Sequence, residues 1–278
     1  MTITDANCHQ CLIERWQLGS VKNGGIMSIL VEACCASVED VLEAEKAGCA
    51  RVELCSAMAL GGLTPSVGMI KAIKKVSKIP IMAMNRPRSG GFCYTDAEFE
   101  MMKEDTKALI AAGVEGLVFG ILREDGTVDS ERCKEMMRLI SYESMKLPKR
   151  VQTVFHRAID VTPDWRAAIE ELIEISYDRI LTSGQLPDAN DGAQTIADMV
   201  KAADGRIEIM PGSGVRKESF KELAQATGVK SVHLRSVKWV NDESCTHGPN
   251  AISFNGSAEP EDAYAVSDSA YFSEMTNN

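Results

Sequence analysis

The chain has 278 residues, a formal net charge of −10, 45% hydrophobic and 25% charged residues. That composition excludes a disordered chain, the acidic balance argues against a dominant nucleic-acid binder, and no run of about 18–20 apolar residues exists to cross a membrane. The length fits one α/β barrel or two small domains.

Residues 1–26 are polar and end in the breaker cluster Asn23-Gly24-Gly25, so they read as a flexible N-terminal extension, with Met27 as a candidate original start. Cys8 and Cys11 form a C-x-x-C there; without a second Cys pair they read as incidental thiols rather than a metal site. The nine cysteines are irregularly spaced, and the first residues lack a secretory signal. A reducing compartment follows, with the cytoplasm as the expected location and the nucleus left open.

From Met27 the rhythm changes. Apolar runs predict strands at 28–33, 50–55, 80–85, 116–120, 151–156, 179–182, 207–210 and 231–234, with amphipathic helical stretches between them. Gly48, Gly113 and Gly228 each fall just past a helix, where a left-handed C′ residue is wanted. Eight strand–helix units over residues 27–240 predict a (β/α)8 barrel of the TIM type, with an open doubly wound sheet as the alternative.

Residues 241–278 carry no Lys or Arg but seven acidic side chains. Phe254, Tyr264, Tyr271 and Phe272 favour a tail docked in part on the barrel; a free acidic tail, or a docking segment for another protein, is the competing reading.

Function in such barrels concentrates where strands end. The strand ends here supply Glu32, Cys34 and Cys35, then Arg51, Glu53 and Cys55, then Asn85, Arg86 and Arg88. Further on come Arg123, then His156, Arg157 and Asp160, then Thr182 and Ser183, then His233 and Arg235. Glu32, Glu53, Arg86, His156, Arg157 and Asp160 form the candidate polar pocket, suited to acid–base chemistry on a small anionic or phosphorylated molecule. A structural ion-pair lattice is the alternative. Buried carboxylates at Glu32 and Glu53 need partners, and Arg86, Arg157 and His156 are the expected ones.

Cys34 and Cys55 end neighbouring strands, and alternation puts each on the same face as its neighbouring glutamate. Two such thiolates suit Cu(I), with Met82 or Met84 available as a thioether; two buried thiols acting as small hydrophobes is the plain alternative. The turn Pro211-Gly212-Ser213-Gly214 is a weak anion-site candidate at Ser213 and Gly214. No G-x-S-x-G elbow, dinucleotide fingerprint or Walker loop is present. Only His156 and His233 lie in the barrel, which argues against a three-histidine zinc site.

The runs RVELCSAMALGGLTPS, NRPRSGGFCYTD, LVFGILREDGTVD, FHRAID, LTSG and MPGSG, in this order, resemble the copper-homeostasis protein CutC family from about Met27 to Arg235. ISFNG and AYFSEM resemble its tail. The resemblance implies a TIM-type barrel, a cytoplasmic homo-oligomer (dimer or tetramer), a role in copper handling, and Cu(I) ligands at Cys34 and Cys55. Two positions depart from the family pattern: PGSG replaces PGGG, and Leu234 stands where related members often carry Cys.

Overall fold

The computed structural model describes residues 29–250, 252, 254 and 260–277. The leader with Cys8 and Cys11 lies outside the described residues. Eight parallel strands alternate with helices: β1 (Leu30–Cys35), α1 (Val38–Lys46), β2 (Arg51–Leu54), α2 (Val67–Val76), β3 (Ile81–Met84), α3 (Asp96–Ala112), β4 (Gly116–Val118), α4 (Ser130–Ser144), β5 (Gln152–Phe155), α5 (Trp165–Ile175), β6 (Arg179–Thr182), α6 (Ala193–Ala203), β7 (Glu208–Pro211), α7 (Phe220–Thr227) and β8 (Ser231–Leu234). The ladder runs β7-β6-β5-β4-β3-β2-β1-β8. β7 and β8 face each other across the remaining seam, where the Ser231 hydroxyl donates to Glu208. The result is the expected (β/α)8 barrel. β1 begins two residues later than its sequence run suggests, so Cys34 and Cys35 lie inside the strand.

The helices start where the sequence caps them. Ser37 accepts from the Asp40 backbone N–H at 3.0 Å. Thr95 and Glu98 form a reciprocal capping box at the head of α3. Gly113 and Gly228 end α3 and α7 in the left-handed region, at φ 98° and 77°.

Alternation along the strands sorts the core into two layers. Outward residues such as Val31, Ala33, Cys35, Val52, Leu54, Ile81, Leu117, Phe155, Ile180 and Val232 pack beneath the helices. Inward residues Cys55, Met82, Met84, Val118, Val154, Leu181 and Met210 fill the barrel interior. Cys35 thus points away from Cys34, as alternation requires.

The chain does not stop at β8. β9 (Lys238–Asn241) pairs antiparallel with β10 (Ala263–Val266), and α8 (Ser269–Thr276) follows. The boundary expected after Val240 therefore falls inside a strand. The tail packs on the barrel: Phe272 and Met275 are fully buried in the outer core. The Ser267 backbone N–H donates to Asp40 at 2.6 Å, and Lys217 pairs with Glu274 at 2.8 Å. Among the described residues no helix is long and apolar enough to cross a membrane.

Candidate metal centre and cavity

The inward positions of β1, β2, β6, β7 and β8 carry charge at the floor of the barrel. Strand register sets Glu32 beside Arg51 on one side and beside His233 on the other. The Arg51 guanidinium hydrogen-bonds Glu32 through Nε, Arg179 Nε donates to Glu208 at 2.8 Å, and Arg179 Nη1 lies 4.0 Å from Glu32. The partners of the buried glutamates are therefore Arg51, Arg179 and His233. The expected partners Arg86, Arg157 and His156 do not reach them. They end β3 and β5 on another arc of the mouth, and the strand order brings β8 beside β1 instead.

One layer above, Cys34 is in register with Glu53. The Cys34 and Cys55 sulfurs lie 3.7 and 3.5 Å from Glu53 Oε2. His233 bridges the layers, with Nδ1 2.9 Å from Glu32 Oε1 and Nε2 3.7 Å from Glu53 Oε2. Ligand atoms of Cys34, Glu53 and His233 all lie within 4.8 Å of one another, and all three residues are buried. Glu53 Oε1 is buried without a hydrogen-bond partner.

The electrostatics follow from this packing. Burial works to raise the Glu32 pKa, but Arg51, His233 and Arg179 overcome it and hold the carboxyl well below the usual range. Burial, reinforced by Cys34 and Glu32, pushes Glu53 up to about 8. The hydrogen bond from Cys55 pulls Cys34 well below an ordinary thiol, with His233 adding to it against burial. The same bond, with burial and Glu53, pushes Cys55 well above. His233 is raised despite burial, by Glu53, Cys34 and Glu32. The site thus gathers sulfur, imidazole and carboxyl groups in one buried pocket, a donor set that suits a soft metal ion.

Cys34, Glu53, Cys55 and His233 line a cavity of about 760 Å³. Arg86, Phe92, His156 and Arg157 line it as well, and Met84, Leu181 and Val215 lie among the remaining wall residues. Glu32 and Asp160 are not in its lining. Asp160 is consumed by the β6 turn: its carboxylate accepts from the Thr182 hydroxyl at 2.5 Å, from the Ser183 backbone N–H at 3.0 Å and from Arg157 Nε at 2.8 Å. That geometry makes Asp160 an organiser of the loop. Ser213 and Gly214 do line the cavity, at φ 72° and 76°. The Ser213 hydroxyl donates to the Pro187 carbonyl at 2.9 Å, and the Asp188 carboxylate lies where a Cβ on Gly214 would sit. A negative charge therefore already borders that turn.

His233 is the site residue that sequence reasoning left out of the pocket. A signal was present, since His233 alternates with Ser231 and so faces inward on the strand that closes onto β1. Arg51, also inward by alternation with Glu53, was a second one.

The fold and the site define a TIM-type barrel with a thiol- and imidazole-bearing mouth. Residues 29–238 match the sequence profile of the CutC family, and the chain belongs to that family. A CutC family protein of Treponema denticola is 43% identical over 249 residues, covering 90% of this chain and 97% of that protein. A human protein named copper homeostasis protein cutC homolog is 37% identical over 220 residues, covering 79% and 78%. The crystal structure of a Streptococcus agalactiae protein described as a copper homeostasis protein CutC superposes with a TM-score of 0.69 at 34% identity, over 74% of this chain and 98% of that one. The tryptophan synthase α-subunit of Pyrococcus furiosus, at 16% identity and a TM-score of 0.52, shares the fold alone.

Proposed function

We propose that this protein serves copper homeostasis by binding Cu(I) at the barrel mouth, with Cys34 and Cys55 as thiolate ligands and His233 as a third. The observation that carries the reading is the buried group of Cys34, Glu53 and His233, ligand atoms within 4.8 Å of one another, with Cys55 on the same carboxylate. Sulfur and imidazole are the donors Cu(I) prefers, and it accepts low coordination. The unpartnered Glu53 Oε1 fits the same picture. The names of the human and Streptococcus agalactiae relatives support the copper assignment. A cytoplasmic or nuclear homo-oligomer is the setting in which a thiol-lined site stays reduced. An enzymatic reading draws its support from Arg86 and His156 in the wall of the same cavity.

The test is competitive Cu(I) titration of the metal-free protein against a coloured chelator. Cys34→Ser and Cys55→Ser should each weaken binding by more than about 100-fold, and His233→Ala by about 10–100-fold. Unchanged affinity in both cysteine variants defeats the assignment.

A further inference from the structure

Where β3 and β5 end, the cavity wall holds two buried donors with nothing to bond. Arg86, at the end of β3, is only 7% exposed. Its Nη1 donates to the carbonyls of Leu60 and Gly62, both at 3.0 Å, and its Nη2 to Gly90 at 2.8 Å. Its Nε has no partner. Every acceptor near it is neutral, the three carbonyls and the Tyr94 phenol, and among the described residues no carboxylate pairs with it. Burial pushes that phenol up to about 12. A buried cation without a counter-charge is costly, so its retention points to a charge supplied from outside the chain.

His156, 3% exposed, ends β5. The Ala158 backbone N–H donates to its Nδ1 at 3.2 Å, so Nδ1 carries the lone pair and the proton sits on Nε2. That Nε2–H is buried without an acceptor. Burial, with Arg86 nearby, pushes the imidazole down to about 3, so it stays a neutral donor at physiological pH. Phe92 covers both groups, 5.4 Å from the Arg86 guanidinium and 4.7 Å from the His156 ring.

The remaining cations of the wall differ. Arg157 pairs with Asp160 and Arg216 with Asp188, each at 2.8 Å, while Arg235 adds exposed charge at the rim. Of the two acidic residues in the lining, Glu53 faces the thiols and Asp268 caps α8 by accepting from the Ala270 N–H at 3.0 Å.

We propose that this wall binds the carboxylate of a small organic acid, which accepts from His156 Nε2 and lies in the field of Arg86, with its apolar body along Met84, Leu181 and Val215. The donor inventory favours a carboxylate over a phosphate. Three of the five Arg86 N–H groups are committed, which leaves Nε–H and one Nη2–H beside the His156 Nε2–H, a donor set that the two oxygens of a planar carboxylate can meet. The cavity is of the size that takes small-molecule ligands. The proposal goes beyond copper binding and does not depend on it.

The test uses the metal-free full-length protein with phenylacetate, phenylphosphonate and the neutral 2-phenylethanol, read by calorimetry and by NMR. Phenylacetate should bind at least tenfold tighter than the alcohol, shift the His156 Nε2 resonance and show contacts from its ring to the Met84 methyl. H156Q and R86K should each reduce the tenfold preference, and R86Q should abolish it. Because Arg86 also ties three loop carbonyls together, the wild-type NMR signals stand as a readout that needs no variant. No binding of the acid, equal binding of acid and alcohol, or a preference intact in H156Q and R86Q overturns the site. Tighter binding of phenylphosphonate than of phenylacetate overturns the carboxylate class.

Discussion

Nδ1 of His233 lies 2.9 Å from Oε1 of Glu32, and this bond joins the charged floor of the barrel to its thiol-lined mouth. Because Glu32 is held ionised, Nδ1 carries a proton and Nε2 is turned toward Glu53 and Cys34. Glu32→Gln should act at both ends. It leaves Arg51 and His233 short of a charge partner, which should cost about 3–5 kcal/mol in urea unfolding of the metal-free protein. It also frees the imidazole, so Cu(I) affinity should fall by about 10–100-fold. Wild-type values in both measurements would show that Glu32 neither anchors the floor nor orients His233.

Asp160 is a contrasting case. Its oxygens are spent on the Thr182 and Ser183 hydroxyls, backbone N–H groups and Arg157. Asp160→Ala should destabilise the fold by about 3 kcal/mol or more, since several bonds to a charged group are lost together. Cu(I) affinity should stay within about twofold, because the side chain touches no soft ligand. A selective loss of copper binding in a stably folded variant would return Asp160 to the site.

The depressed pKa of His156 makes a pH prediction. The folded protein holds its imidazole neutral down to about 3, while in the unfolded chain it titrates near its ordinary value of 6.5. Above 6.5 neither state binds the proton and the contribution to stability is fully present. As pH falls from 6.5 toward 3, the unfolded state takes up a proton the folded state refuses, and stability is lost. Between pH 6 and 5 the loss should be about 1 kcal/mol per pH unit. Urea unfolding of wild type and His156→Gln across that range should yield curves that differ by this slope; parallel curves would contradict it.

The acidic tail closes the outer core. Phe272 is fully buried, and its helix is held by Lys217–Glu274 and by the Thr276 hydroxyl on the Ala47 carbonyl at 2.5 Å. Phe272→Ala should cost about 3–5 kcal/mol, as for other buried aromatic truncations. A free solubilising tail would show no change in thermal unfolding.

What depends on neighbours along the chain is written in the amino-acid order. Period-2 apolar runs alternating with capped amphipathic stretches specify eight strand–helix units, and these close into a barrel. Alternation also settles which side chains face inward, so Glu32 with Cys34, and Glu53 with Cys55, were readable as mouth residues. Which charges meet is a matter of three-dimensional closure. Glu32 finds Arg51 and His233, residues 19 and 201 positions away, because β1 lies between β2 and β8 in the ladder. Arg86, Arg157 and His156 carry equally suitable charges, but they stand on another arc of the wall. Asp160 was diverted for the same reason: the Thr182-Ser183 turn of the next strand reaches it first. Pairing energy falls steeply with distance, and strand order and register set those distances. Composition and local pattern do not contain them.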